Sequence, residues 1–268
     1  MADLRIISYL PNPRIWKATI AGRLCNVDIE VRGGAPAEMQ DWLWDFEARP
    51  LTDDDRQADQ SPESTGRRGF KGKLYKTEAF LDAIPFGTIP AAFSPDGKVG
   101  IFESNSIMRA VASLGKERGH GGLSGRDAYE AARIESFLDV SLLFAKDSQT
   151  YLLALRGETL TTRIHQQAAE AFDVYMLGIE RALSSSTQFI ASDQLSLADI
   201  CFVVELALFV RETMYRDQLL ALGVEPIFDD RSEDTYPKAI AHFERLCRHE
   251  AFKPDVEPYL QGLKRQTA

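Results

Sequence analysis

The chain has 268 residues, 44% of them hydrophobic, which is enough to bury one large core or two ordinary ones. Forty acidic against 31 basic residues give a net charge of -9, which argues against nucleic acid as the main partner. Cys25, Cys201 and Cys247 are odd in number and lack CxxC or Cys/His spacing, so neither a disulfide framework nor a zinc site is expected and a reducing cytoplasm fits. The start "MADLRIISYL" has no basic segment ahead of a long apolar run. No stretch approaches the roughly 18 apolar residues of a membrane span, so export and anchoring are not expected.

In chain order, "LRIISYL" (4–10) reads as a strand, "PRIWKATIAGRL" (13–24) as a helix and "VDIEVRG" (27–33) as a second strand, a βαβ unit. "EMQDWLWDF" follows, with Trp42, Trp44 and Phe46 reading as a short helix that packs its rings on the domain, against the alternative of a ring-lined ligand or partner surface. Residues 47–73 are dense in charge, Ser, Gly and Pro; such a composition builds no core, so a surface insertion is expected, with Arg67 and Arg68 as its protease-sensitive point. Helical "KTEAFLDAI" (76–84) comes next. Two β-branched and apolar runs joined by Ser94-Pro95-Asp96-Gly97 then form a hairpin, and "SNSIMRAVASLG" (104–115) a helix stopped by Gly115.

A glycine-rich stretch, residues 115–127, divides the chain. Beyond it the periodic segments are all helical, including "SLADICFVVELALFVRETMYRDQLLAL" as one long helix. The domains are therefore expected at 1–116 and 124–268. Ser196 and Asp199 in "SLADI" form a capping box, a folding device. His120, His165, His242 and His249 show no metal spacing and read as surface residues, and Cys25 reads as a buried apolar side chain.

The order βαβ, α, ββα followed by helices resembles the cytosolic glutathione S-transferase superfamily. In that family a thioredoxin-like domain carries a cis-proline before its third strand and Glu-Ser at the next helix start. Ile89-Pro90 and Glu103-Ser104 are similar to those two motifs, and "FIASDQLSLADICFVVEL" (189–206) resembles the capping run of the family's helical domain, with Ser192 in place of its usual Gly. The resemblance implies an α/β plus all-α fold, βαβαββα and then an all-helical domain, with glutathione as cofactor. Ile89 would pair with the cysteinyl backbone of glutathione like an added strand. Glu103 would take the γ-glutamyl ammonium, and Ser104 with the helix N-terminus its carboxylate.

The thiol activator is expected after the first strand, where "YLPNPRIWKATIAG" lacks the common Ser or Cys. It resembles the start of the glutathione transferase-like domain of elongation factor one B gamma and is similar to the Asn-bearing starts of the Nu and yeast prion-related branches, which puts Asn12 at the critical place and Tyr9 as its rival. Asn12 as a cap ahead of Pro13 is an equal reading. The resemblance further implies a hydrophobic, aromatic small-molecule co-substrate, for which Phe137, Leu138, Ser141, Leu142, Ala145, Arg211 and Tyr215 are candidates, with core packing as the competing role for most of them. It also implies a homodimer or a heterodimer with a related subunit, and a likeness to bacterial aryl-ether-cleaving (beta-etherase) enzymes. The competing class is a non-catalytic interaction or scaffold subunit.

Overall fold

The computed structural model describes residues 2–57, 63–66, 70, 72–185 and 188–267. The chain divides into two compact units, Met1–His120 and Gly121–Ala268. Arg67 and Arg68, the expected protease-sensitive point, lie outside the described residues.

The first unit runs β1 (Leu4–Ile7), α1 (Pro13–Cys25), β2 (Ile29–Arg32), a 3₁₀ turn (Glu38–Asp41), β3 (Trp42–Trp44), β4 (Arg49–Pro50), α2 (Asp53–Gln57), β5 (Glu63–Gly66), β6 (Gly72–Lys76), α3 (Glu78–Ala83), β7 (Ala91–Phe93), β8 (Gly100–Phe102) and α4 (Ser104–Glu117). Its main sheet has the order β2-β1-β7-β8, with β1 and β2 parallel and the other pairs antiparallel. The β7–β8 hairpin closes as its turn residues dictate. The Gly97 N–H donates to the Ser94 carbonyl (2.8 Å), the Ser94 hydroxyl to Asp96 (2.7 Å), and Gly97 takes a φ of 73° that side-chain-bearing residues avoid. Gly115 does not stop α4. It lies inside the helix, where a Cβ would stand 2.3 Å from the Cys25 Cβ, so its role is to let α4 close on the end of α1.

The aromatic segment departs from expectation. Trp42 and Trp44 stand in strand β3, parallel to β6, and with β4 and β5 they make a second sheet of order β4-β3-β6-β5. Two apart in a strand, Trp42 and Trp44 share one face, with Trp44 buried and Trp42 half-buried, whereas a helix would have put them on nearly opposed faces. Much of 47–73 is thus regular structure and not loop, although its residues are largely exposed as the composition requires. The second sheet shares the core of the unit: Met39, Trp44 and Leu74 pack with Ile7, Phe80, Ile84, Ala91 and Phe93. At its edge the Arg5 guanidinium lies 4.2 Å from the Phe46 ring centre, and Arg5 and Arg32 pair with Glu30 and Glu47.

The second unit is helical: α5 (Ala128–Arg156), α6 (Thr162–Leu183), α7 (Leu197–Phe209), α8 (Arg216–Ala221), α9 (Arg231–Thr235), α10 (Pro237–Cys247) and α11 (Lys253–Thr267). Helix α7 is buried almost all round, which is why its sequence is apolar without periodicity. The long helix expected over 196–222 is instead broken by a 3₁₀ turn, Val210–Tyr215. The cause is Glu212. Its buried carboxylate accepts from the Tyr151 hydroxyl (2.5 Å) and from the Ile227 and Phe228 N–H groups (2.9 and 2.7 Å). Among the described residues no helix is long and apolar enough to cross a membrane, and no His, Cys, Asp and Glu cluster could hold a metal.

Candidate functional site

The polar and charged residues buried in the first unit are Ser8, Asn12, Lys17, Ser104 and Asn105. They are not scattered. Ser8 and Asn12 flank the turn from β1 into α1, Lys17 lies in α1, and Ser104 and Asn105 open α4, so the buried polarity gathers where two helices begin. Burying polar groups costs free energy unless they are bonded, so such a concentration needs a reason.

Part of the reason is local. The Asn12 Oδ1 accepts the Arg14 N–H (3.1 Å) as the N-cap of α1, with Pro13 at the first helical position. The Asn12 Nδ2 donates to the Ser8 hydroxyl (2.9 Å). The Lys17 ammonium donates to the Asn105 Oδ1 (2.7 Å) and so ties α1 to the first turn of α4.

The α4 start is built differently. Glu103, exposed and at its N-cap position, makes no capping bond, so the first-turn N–H groups are left to other acceptors. Its backbone stands at φ 66°, ψ 123°, a conformation that costs a non-glycine residue about 1 to 3 kcal/mol and that persists where function demands it. Ser104, 7% exposed, is the first residue of the helix.

Ile89-Pro90 is a cis bond, as is Leu10-Pro11. The β1–β7 ladder ends at the Ile7–Ala91 pair, and Tyr9 and Ile89 lie just beyond its two strands. Both are half-buried residues on the rim of the same core cluster. The sequence-derived residues Tyr9, Asn12, Ile89, Pro90, Glu103 and Ser104 therefore all lie in the first unit, at the ends of β1 and β8, the head of α1, the entry to β7 and the head of α4.

Sequence reasoning missed Lys76. Its ammonium donates to the Gly87 carbonyl (2.8 Å), two residues before Ile89, and lies 4.9 Å from the Trp44 ring centre. Half-burial holds its pKa below the usual lysine value, and among the described residues it forms no ion pair. Nothing in "KLYKTEAF" marks that cation, because its half-burial depends on Trp44 in a strand 32 positions earlier.

Outside this region the start of α7 carries a closed polar network. The Asp199 carboxylate accepts from the Ser196 N–H and hydroxyl (2.9 and 2.8 Å), the Ile190 N–H (3.0 Å) and the His242 Nε2 (2.9 Å), which completes the capping box. His242 is thus buried and not a surface residue; the Arg245 guanidinium donates to its Nδ1 (2.8 Å), so its Nε2 carries the proton given to Asp199. Cys25 and Cys247 are poor nucleophiles: burial pushes the Cys25 thiol up and that of Cys247 up to about 12. Of the expected co-substrate residues, Leu138, Ser141 and Ala145 are core of the second unit, and the Ser141 hydroxyl bonds the Leu138 carbonyl (2.7 Å).

No family model matches the chain. Glutathione S-transferase F9 of Arabidopsis thaliana is 31% identical over 141 residues, which cover 49% of this chain and 61% of that protein, less than two thirds of its length. The glutathione S-transferase-like protein FUS3 of Gibberella moniliformis is 24% identical over 255 residues, 92% of this chain and 90% of the relative. Among solved structures, the glutathione transferase URE2P5 of Phanerochaete chrysosporium superposes with a TM-score of 0.66 at 15% identity, covering 100% of this chain and 99% of that one. Ure2p in complex with glutathione gives a TM-score of 0.60 at 13% identity, covering 95% of this chain and 98% of the other.

Proposed function

Since the chain belongs to the glutathione S-transferase superfamily, we propose that it binds glutathione in its first unit and uses the thiolate against a hydrophobic, aromatic electrophile. The observation that carries this reading is the uncapped α4 start, with Glu103 held at φ 66° and buried Ser104 beside it. Glutathione carries one ammonium and two carboxylates. Glu103 takes the ammonium; Ser104 and the α4 N–H groups take the γ-glutamyl carboxylate, drawn by the helix dipole. Ile89 pairs with the cysteinyl backbone beside Pro90, and Lys76 supplies a cation for the second carboxylate.

The thiol lies near Ile89, and two groups compete to stabilise it. Asn12 spends its Oδ1 and one N–H on Arg14 and Ser8, which leaves its second amide N–H for sulfur. Tyr9, on the rim of the same core cluster as Ile89, brings a phenol. With either donor, the thiolate forms a C–S bond and the leaving group departs with the electron pair of the bond that breaks. An aryl ether suits this chemistry, its aryloxide leaving and then taking a proton.

The cap role of Asn12 favours a second reading, a glutathione-binding scaffold without turnover. Asn12→Asp separates the two. Asp keeps the cap on the Arg14 N–H but puts a charge at a buried position and removes the amide given to Ser8, so some stability is lost and turnover is read per folded protein; a carboxylate beside a thiolate repels it, so the bound thiol's pKa, read from thiolate absorbance against pH, rises and turnover falls. Full activity in Asn12→Asp would remove Asn12 from catalysis and leave Tyr9, tested by its Phe variant. Glutathione binding without turnover in the unmutated protein would establish the scaffold.

A dimer completes the proposal, formed with a second copy or with a related subunit. Phe86 is 73% exposed, and Val140 and Leu143 on α5 and Val174 and Leu177 on α6 are exposed apolar pairs at helical spacing, an arrangement that burial in a partner would relieve. Light scattering is expected to read twice 30.0 kDa, and a monomer mass at micromolar concentration would contradict it. Reduced cysteines are consistent with a cytoplasmic setting.

A further inference from the structure

One polar side chain is sealed into the end of strand β1. Leu4, Ile6 and Ile7 are core, as their apolar side chains require, and Ser8, the residue that follows the strand, is fully buried as well. A hydroxyl at such a position costs free energy that an alanine would not, unless it makes a bond that matters. Among the described residues its side chain makes one bond, accepted from the Asn12 Nδ2 at 2.9 Å. Ser8 is itself held from two sides. Its N–H donates to the Arg32 carbonyl (3.0 Å) just past the β1–β2 ladder, and Gly33 comes so close that a Cβ there would stand 1.7 Å from the Ser8 carbonyl oxygen.

The Asn12 amide is thereby tethered twice, to α1 through its Oδ1 and the Arg14 N–H (3.1 Å) and to the end of β1 through its Nδ2 and Ser8. The first bond is an ordinary helix cap and leaves the amide plane free to swing about it. The second tether, on a rigid strand, removes that freedom and fixes the remaining amide N–H. That N–H has no acceptor among the described residues although Asn12 is 1% exposed, and a buried donor in that state is costly until a ligand brings an acceptor. On the reading that glutathione binds in the first unit with Asn12 as its thiolate donor, we propose that Ser8 is a positioning residue, whose hydroxyl holds the Asn12 amide so that its second N–H is kept for the sulfur. Full burial keeps Ser8 itself off the substrate. Its influence falls on ionisation of the thiol and not on capture of the peptide, because a thiolate accepts a hydrogen bond far better than a thiol and gains more from a fixed donor.

The test is a double-mutant cycle read on the bound thiol, which reports only on folded protein. Thiolate absorbance of bound glutathione against pH is measured for the unmutated chain, Ser8→Ala, Asn12→Ala and the double variant, and calorimetry with S-methylglutathione, which has the peptide but no ionisable thiol, is run on each. Ser8→Ala is expected to lower the ionisation constant of the bound thiol about three- to tenfold while S-methylglutathione affinity stays within about twofold. In the Asn12→Ala background Ser8→Ala is expected to add less than about twofold, since its effect passes through the amide. An unchanged thiol in Ser8→Ala, an equal fall in both backgrounds, or a parallel loss of S-methylglutathione affinity overturns the positioning role and leaves Ser8 as a clamp of the turn. A thiol that Asn12→Ala also leaves unmoved removes Asn12 from the thiolate and this inference with it, while glutathione binding stands. Absence of binding by glutathione and S-methylglutathione alike in the unmutated chain overturns the glutathione reading itself.

Discussion

Helix α7 has Ser196 as its N-cap with Asp199 three residues on, and helix α4 begins at Ser104 directly after Glu103, so each start places a hydroxyl and a carboxylate beside a helix N-terminus. At α7 every group is used: Asp199 accepts from two backbone N–H groups, the Ser196 hydroxyl and His242, which itself accepts from Arg245. At α4 the carboxylate makes no capping bond, its residue is strained at φ 66°, and it is exposed. The difference teaches how to tell a folding device from a binding one. A closed polar network lowers the free energy of the fold, whereas an open and strained one makes sense only with a partner of complementary charge.

The comparison breaks most visibly at Asp199. Asp199→Ala leaves the Ile190 and Ser196 N–H groups and His242 buried without their acceptor, an expected loss of about 3 to 5 kcal/mol of stability. A shifted denaturant midpoint checks it. The protein that stays folded should bind glutathione with unchanged affinity, and a large affinity change would mean that the α7 network reaches the site.

The smallest expected effect sharpens the open side. Lys76 is half-buried and forms no ion pair among the described residues, so its contribution to a carboxylate is that of a partly screened charge. Lys76→Ala should weaken glutathione binding by about 0.5 to 1 kcal/mol. Calorimetry at low and high salt checks it: the gap between variant and unmutated chain should narrow as salt rises.

Much of this was legible in the sequence where the cause is local. Asn12-Pro13 announces the α1 start, Ser94-Pro95-Asp96-Gly97 the hairpin, and Ser196 with Asp199 the α7 cap, because each depends on residues within one turn. Features fixed by distant partners were not legible. Trp42 and Trp44 become a strand only because β6 arrives some 30 positions later to pair with it. The break after Phe209 exists because Glu212 turns inward to Tyr151 and to the N–H groups of Ile227 and Phe228. His242 is buried because Asp199 and Arg245 bracket it, and neither contact leaves a trace in the spacing of the histidines. The uncapped α4 start is intermediate: the residues Glu103-Ser104 are plain to read, but the strained backbone is not.

The most direct test of the account is calorimetric titration of glutathione into the unmutated chain and into Ser104→Ala, with the stability of each measured by denaturant unfolding. Loss of the hydroxyl should weaken binding by about 1 to 3 kcal/mol through a carboxylate left short of a partner, while the unfolding free energies of the two proteins agree within about 0.5 kcal/mol. If the unmutated chain bound no glutathione, or if Ser104→Ala lost stability and kept its affinity, the α4 start would be a folding device like that of α7 and the account would be contradicted.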